Sequence, residues 1–214
     1  ALAPGAYQIH DGVPGNCALE MHAGDRAATD EAFERAHHIT RLKVDCTRVT
    51  PSPMEPRACL STYDAKDETF TIRVCLQGIM TMTAQIASFM NLPREKIKVL
   101  GKDVGGGFGQ RSTVYPEYVM TLHAARELGA PVKWVSSRSE GFMTDTHGRA
   151  NIGDGELALD ANGRFLAIRF DWITDQGAYV SAGGPGYIRN IVNCLTGVYD
   201  IPVAFSRFRV ALTN

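Results

Sequence analysis

At 214 residues, with 44% hydrophobic and 21% charged residues, the chain has room for one large domain or two small ones and an ordinary globular composition. Its formal net charge of -1 argues against a nucleic-acid partner, because neutralising phosphates takes a basic face. No apolar run approaches the roughly 20 residues of a membrane span, and the opening ALAPGAYQIHDGVPGN lacks the basic region and apolar core of a signal peptide.

In chain order, residues 1–16 are rich in Pro and Gly and read as an entry linker, with residues 17–214 as the domain proper. CALEMHAGD is a strand, and TDEAFERAHH a helix with Thr29 or Asp30 at its N-cap. ITRLKVDCTRVT sets Ile39, Leu42, Val44 and Cys46 among polar residues, the pattern of a half-buried strand. Pro51, Pro53 and Pro56 then force a turn-rich crossing. RACLSTYD and TFTIRVCLQ are two strands joined by AKDE; Gly78 closes the second, and MTAQIASFMNL is a helix ended by Pro93. KIKVLG is a compact strand that runs directly into the glycine-rich DVGGGFGQR. Pro116 and Gly129 bracket a helix in YPEYVMTLHAARELG. PVKWVSS is another strand, and SEGF begins a short capped segment. GELALDANGRFLAIRFDWITDQGAY holds two alternating strands around Asp160-Ala161-Asn162-Gly163, a hairpin. Gly183-Gly184-Pro185-Gly186 is a second glycine-rich loop, and VAFSRFRVALTN a last strand. Helices and strands mix without a strict βαβ period, so the expected fold is α+β, helices packed on mixed sheet. No initiator Met heads the sequence and no turn signal closes it, so a piece of a longer protein is expected.

Cys17, Cys46, Cys59, Cys75 and Cys194 are scattered, odd in number and never spaced C-x-x-C. This disfavours a zinc ribbon, a locally held iron–sulfur cluster and a disulfide scaffold, and predicts free thiols in a reducing, cytoplasmic setting. The six histidines show no H-x-x-x-H or H-E-x-x-H spacing, which disfavours a histidine metal site.

The stretch from Gly105 to Gly109 keeps a single side chain, that of Phe108. Glycine loses more backbone freedom on folding than any other residue, so such a run persists where the chain must bend sharply or admit a ligand to its amides. It is not a dinucleotide fingerprint, since Gln110 stands where the third glycine belongs. Nor is it a P-loop, since Gly109-Gln110-Arg111-Ser112 replaces Gly-Lys-Ser/Thr. A strand, a flexible turn and a following helix would still present free amides to an anion. The competing reading is a tight turn with Phe108 plugging the core.

The loop's company narrows the choice. NCALE at 16–20, SPMEPRA at 52–58 and CLQG at 75–78 precede LPREKIKVLGKDVGGGFGQR at 92–111; LGAPVKWVSSRSEGF at 128–142 and DQGAY at 175–179 follow. In this order and over nearly the whole chain, these resemble the molybdenum-binding large subunit of the xanthine oxidase, aldehyde oxidase and carbon monoxide dehydrogenase family. GGGFG alone is a weak signal; the combination is specific.

The resemblance implies that residues 17–214 are the first part of a molybdopterin-binding domain, the second half lying outside this chain. It implies that the backbone of Gly106, Gly107, Phe108 and Gly109 lies against the molybdenum centre and pterin, its amides donating to oxygen ligands of the metal. Gln77 matches the glutamine whose amide hydrogen-bonds an oxo ligand; no protein side chain ligates the metal directly. Ser112 stands where the purine-oxidising branch places a substrate-holding Glu, which makes Ser112 the candidate substrate contact. The substrate is then an aldehyde, a different heterocycle or another small molecule.

The implied cofactor is molybdopterin, its cytosine dinucleotide form included, with iron–sulfur clusters and FAD on other domains or subunits. The remainder of the large subunit is the other implied partner. The catalytic base and the substrate loop fall beyond Asn214, so no catalytic residue is assigned here and the isolated chain is expected to be inactive. A non-catalytic cofactor-binding or assembly module, one chain of a split large subunit, and a phosphate-ester binder are the alternatives. Glu55 and Arg57 are either anion-binding or a Pro-framed turn held by a salt bridge; Tyr115, Asp175 and Tyr179 read as structural. If Gln77 and the loop serve one metal, the Gln77 amide lies within about 8 Å of the Phe108 or Gly109 nitrogen, given hydrogen bonds of roughly 3 Å. The strands ending at Gln77 and near Val104 are then neighbours.

Overall fold

The structure is a computed structural model and describes residues 1–180 and 187–213. The chain lays down two strands and a helix of one unit, crosses into a second, and returns. The first unit opens with β1 (Cys17–Gly24), α1 (Arg26–Glu34) and β2 (His38–Cys46). The second occupies Thr50–His147 with β3 (Ala58–Asp64), β4 (Thr69–Val74), α2 (Ile79–Met90), β5 (Ile97–Leu100), α3 (Pro116–Leu128), β6 (Val132–Val135) and α4 (Arg138–Thr144). The first unit resumes with β7 (Asn151–Leu159), β8 (Phe165–Gly177), α5 (Tyr187–Val192) and β9 (Val203–Leu212). The class is α+β, as the sequence predicts. The sequence reads as one domain over residues 17–214; the structure divides into two compact units, the second starting at Thr50 beside the proline crossing. The second glycine-rich loop, 183–186, falls outside the described residues.

The first unit is built on a five-stranded sheet of order β1-β9-β8-β7-β2, antiparallel except for the parallel β8–β9 pair. The predicted hairpin is β7–β8: Asp160 Oδ1 accepts from the amides of Asn162 (2.8 Å) and Arg164 (2.9 Å), and Gly163 turns the chain at φ +78°. The helix α1 lays Ala32 and Phe33 on the fully buried Ala158 and Ala167. It begins before the predicted Thr29/Asp30 cap, because Asp25 accepts from the Ala28 amide (3.0 Å) and takes the N-cap itself. It ends at Glu34, so the paired histidines leave it and His38 opens β2. The half-buried pattern predicted for β2 is not met: the strand is the edge of the sheet and Leu42 is 64% exposed. Residues 1–16 wrap the buried Asn16, whose side chain donates to the carbonyls of Ala1 (3.1 Å) and Tyr7 (2.7 Å) and accepts from the Ile9 amide (2.8 Å).

The second unit has a four-stranded sheet of order β5-β4-β3-β6. Strands β3 and β4 alternate buried and less buried residues, and Phe70, Ile72 and Val74 of β4 point to the same core as Met82 and Ile86 of α2 and Tyr118 and Leu122 of α3. Burying each large aliphatic side chain contributes roughly 1.5–3 kcal/mol, and this cluster is the unit's main source of stability. The helix α3 has the predicted bounds, with Pro116 in its first turn and Gly129 at φ +61° as its C-cap. The helix α2 starts three residues before the predicted MTAQ, directly after Gly78, which turns the chain at φ +94°. Strands β4 and β5 are parallel neighbours, Phe70 opposite Ile97 through Arg73 opposite Leu100. Their C-termini therefore finish on one edge, and from it emerge both the CLQG segment and the glycine run.

Candidate functional site

Three segments meet at that edge: residues 75–78 after β4, residues 101–112 after β5, and the turn 52–55 ahead of β3. The Gln77 amide nitrogen donates to the Arg111 carbonyl (2.9 Å), and its side-chain Oε1 accepts from the amides of Gly109 (2.8 Å) and Arg111 (3.3 Å). The predicted convergence of Gln77 and the loop is thus observed, at hydrogen-bonding distance. Two backbone N–H groups can point only at an oxygen, so the side-chain amide has a fixed orientation. Its Nε2, a donor only, has no protein acceptor among the described residues, and Gln77 is exposed.

The loop backbone is left-handed at Gly106 (φ +109°), Phe108 (φ +53°) and Gly109 (φ +91°). A phenylalanine in that region costs on the order of 1–3 kcal/mol unless surrounding contacts enforce it. Here the enforcing contacts are Gln110 N to Gly107 O (3.0 Å) and Ser112 N to Gly109 O (3.2 Å). Phe108 is 74% exposed, which removes the reading of a core plug. The amides of Gly106, Gly107 and Phe108 have no acceptor among the described residues.

The glycines serve the protein's own packing more than the sequence suggests. A Cβ on Gly105 would lie 2.5 Å from Glu55 Cβ, and one on Gly107 would lie 2.6 Å from Gln77 Cδ. Gly109 is needed for its positive φ instead, and Gly106 for both reasons, since a Cβ there would also lie 3.1 Å from Pro53 Cβ. The Gly109 amide, expected to donate to an oxygen ligand of the metal, is spent on Gln77 Oε1, so Gln77 Nε2 is what this end of the loop offers. Ser112 is exposed in the 3-10 turn Gln110–Ser112, but its hydroxyl donates to the Gly109 carbonyl (2.5 Å), which leaves it only lone pairs for a substrate.

Arg57 is structural. It is 1% exposed, pairs with Asp145 through Nε and with Glu117 through both terminal nitrogens (2.9 and 3.2 Å), and donates to Thr144 Oγ1 (2.9 Å). Its guanidinium lies 3.9 Å from the Tyr115 ring centroid and 5.0 Å from that of Trp134. Burial opposes its charge, but the bonds to Glu117 and Asp145 outweigh burial and raise its pKa. Glu117 is held below its usual value, the Arg57 hydrogen bond overcoming the burial that pulls the other way. Tyr115 donates its hydroxyl to the Gln110 carbonyl (3.0 Å).

Glu55, read from the sequence as anion-binding or part of a salt-bridged turn, and Arg111, given no role there, both join the loop. Glu55 Oε2 accepts from the Gly105 amide (2.7 Å), and Arg111, 1% exposed, donates through Nη2 to the Glu55 carbonyl (2.8 Å). Beside them burial, and then Glu55, pushes the Cys75 thiol up to about 11. In the first unit Asp175 borders a cavity of about 530 Å3 that Cys46, Arg48, Ile173 and Thr213 also line. Its Oδ1 is committed to the Gly177 amide (2.9 Å) and the Thr213 hydroxyl (2.5 Å), and Tyr179 is exposed beside the His10 ring.

The second unit's edge therefore presents donors without acceptors: one side-chain NH2, three amides, and an aromatic face. Such a set suits an anionic ligand rich in oxygen or sulfur; among the described residues no cluster of His, Cys, Asp and Glu forms that could hold a metal ion directly. The profile of a family described as the molybdopterin cofactor-binding domain matches residues 9–214. The chain is 34% identical to the carbon monoxide dehydrogenase large chain of Afipia carboxidovorans, over 99% of this chain and 26% of that one. It is 32% identical to the corresponding chain of Hydrogenophaga pseudoflava, over 90% of this chain and 24% of that one. Quinoline 2-oxidoreductase from Pseudomonas putida 86 superposes with a TM-score of 0.86 at 30% identity, covering 98% of this chain and 27% of that one. The chain spans about a quarter of the length of these relatives.

Proposed function

The chain belongs to the molybdopterin cofactor-binding domain family, among the large subunits of the xanthine oxidase group, and from that premise we propose that it forms part of the cradle of a molybdenum–pterin centre in a larger oxidoreductase. The observation that carries the reading is the fixed Gln77 amide, its Nε2 directed outward beside the acceptor-free amides of Gly106, Gly107 and Phe108. These are the groups that would hold the cofactor's anionic ligands, and the exposed Phe108 ring would cover them from water. Bound, the centre supplies two-electron oxidation of a small molecule with water as the oxygen source; orientation and exclusion of solvent are the protein's share.

The relatives' names include carbon monoxide dehydrogenase and nicotine 6-hydroxylase. For this chain the substrate class is an aldehyde, a heterocycle or another small molecule, with Ser112 as the candidate contact. The cytosine dinucleotide form of the cofactor, iron–sulfur clusters and FAD on other domains or subunits, and a cytoplasmic setting belong to the same proposal. Because the chain spans a quarter of its relatives, the 214 residues alone should neither retain the cofactor nor reduce a dye with an aldehyde or heterocycle. A preparation of them that does so would overturn that part.

The direct test is molybdenum and pterin analysis of the full-length protein, with Phe108→Asp alongside. We expect about one molybdenum per chain, and severe loss in the variant, because a carboxylate is placed beside an anionic ligand, which it repels. A full-length protein without molybdenum sinks the proposal. Unchanged metal content in Phe108→Asp would put Phe108 away from the metal.

A further inference from the structure

The glycine loop is tied at both ends to the same buried arginine. At its start Glu55 makes a two-bond clasp with Gly105: the Glu55 amide donates to the Gly105 carbonyl (3.1 Å), and Glu55 Oε2 accepts from the Gly105 amide (2.7 Å). Arg111 holds the clasp from behind by donating to the Glu55 carbonyl (2.8 Å). At the loop's end the Arg111 backbone brackets Gln77, accepting from its amide (2.9 Å) and donating to its side-chain Oε1 (3.3 Å). The guanidinium is in turn anchored by Asp145, whose Oδ2 lies 3.5 Å from Nη1 and whose other oxygen is held by Arg57. Between these ties the amides of Gly106, Gly107 and Phe108 have no acceptor among the described residues, although the Gly107 carbonyl accepts from Gln110 (3.0 Å).

We propose that Glu55 and Arg111 are positioning residues: they set the loop, and through it the outward direction of the Gln77 amide, before any cofactor arrives. The proposal rests on reading this edge as the cofactor cradle. A carboxylate facing an anionic ligand would repel it. Here one carboxylate oxygen is turned onto a backbone amide, where it fixes the loop. Prearrangement of this kind lowers the ordering cost of binding, since loop torsions that are already fixed need not be frozen by the ligand. It also explains a glycine that no ligand requires, because a Cβ at Gly105 would collide with Glu55 itself.

The test uses the full-length protein, with and without cofactor, as wild type, Glu55→Ala and Glu55→Gln. Amide exchange is followed in the 103–112 peptide and in a β3–β4 control peptide, together with molybdenum and pterin content. In cofactor-free Glu55→Ala, exchange in 103–112 should rise roughly 5- to 10-fold, the factor that one hydrogen bond is worth. The control peptide should stay at wild-type rate, and cofactor occupancy should fall. Glu55→Gln retains an acceptor oxygen and should restore both readings. Wild-type exchange in Glu55→Ala would overturn the proposal. So would equal damage in Glu55→Gln, or loosening of the control peptide in both variants. If exchange rises as expected but the wild-type protein never takes up molybdenum, the cradle reading fails and the clasp stands.

Discussion

A methyl group on Gly107 would press on Gln77, whereas one on Gly109 would meet nothing within 4 Å. The two alanine variants should therefore separate packing from backbone conformation. Gly109→Ala carries only the strain of φ +91°, on the order of 1–3 kcal/mol, and should lower the urea midpoint of the full-length protein while leaving its molybdenum content near wild type. Gly107→Ala should displace the Gln77 amide and reduce molybdenum content severely with a smaller change in midpoint; the reverse ranking would show that Gln77 does not face the cofactor. The thiols make a second prediction. Cys46 and Cys194 are exposed, whereas Cys59 and Cys75 are buried and burial raises both their pKa values. At pH 8, iodoacetamide should label the first pair rapidly and the second only on unfolding, as read by peptide mass spectrometry. The glycine run and Gln77 were legible because their residue types are informative in place. Glu55 was noticed but its bond to the loop was not, and Arg111 was given no role, since a carboxylate reaching an amide 50 residues away leaves no local spacing to read.

The elements divide along the same line. Helix α3 could be bounded from Pro116 and Gly129 because both signals act through their own backbone. The starts of α1 and α2 were missed because the deciding groups, the Asp25 side chain and the turn at Gly78, sit outside the apolar periodicity used to find them. Strand β2 was expected to bury one face, and edge position is a property of the sheet that a single segment does not carry. The Arg57 cluster fastens α3 and α4, through Glu117 and Asp145, to the start of β3. Arg57→Met would strand the Glu117 carboxylate and leave Asp145 only Arg111, and breaking a buried pair this way costs about 3–5 kcal/mol, measurable as a shift in urea midpoint at pH 7. The pH dependence has a definite sign. Glu117 is held below its reference value of 4.5 in the fold, so its contribution is present above that value and is lost as pH falls through the folded pKa. Stability should therefore drop below about pH 4.5 in the wild type, and the Glu117 part of that drop should be missing in Arg57→Met. An unchanged acid limb would show that the pair does not set it.

At the scale of the molecule, residues 50–147 of the second unit form an excursion between β2 and β7 of the first. Neither boundary was legible: the prolines from Pro51 predict only a turn of the chain within one domain, and nothing in the composition near His147 marks the exit. The excursion opens and closes at one point, where Val49 and Gly148 exchange two backbone hydrogen bonds of 2.9 Å. Residues 50–147 contain their own core, and the excised segment should fold cooperatively on its own, with a helical far-ultraviolet spectrum and a sigmoidal urea transition. A molten spectrum without a transition would refute that. The bridge also sets a schedule for synthesis. Pairing β2 with β7, His38 opposite Leu159 through Cys46 opposite Asn151, requires the ends of a long loop to meet, whereas a finished excursion brings them together in advance and relieves that closure by about 2–3 kcal/mol. Residues 50–147 leave the ribosome before β7, so they can be complete while the host sheet is still two unmatched strands. The first of these, β1, then waits for β9, its partner from Cys17 opposite Ala211 to Gly24 opposite Phe205. During translation the hazard of mispairing accordingly belongs to β1 and β2, and the interior unit is spared it.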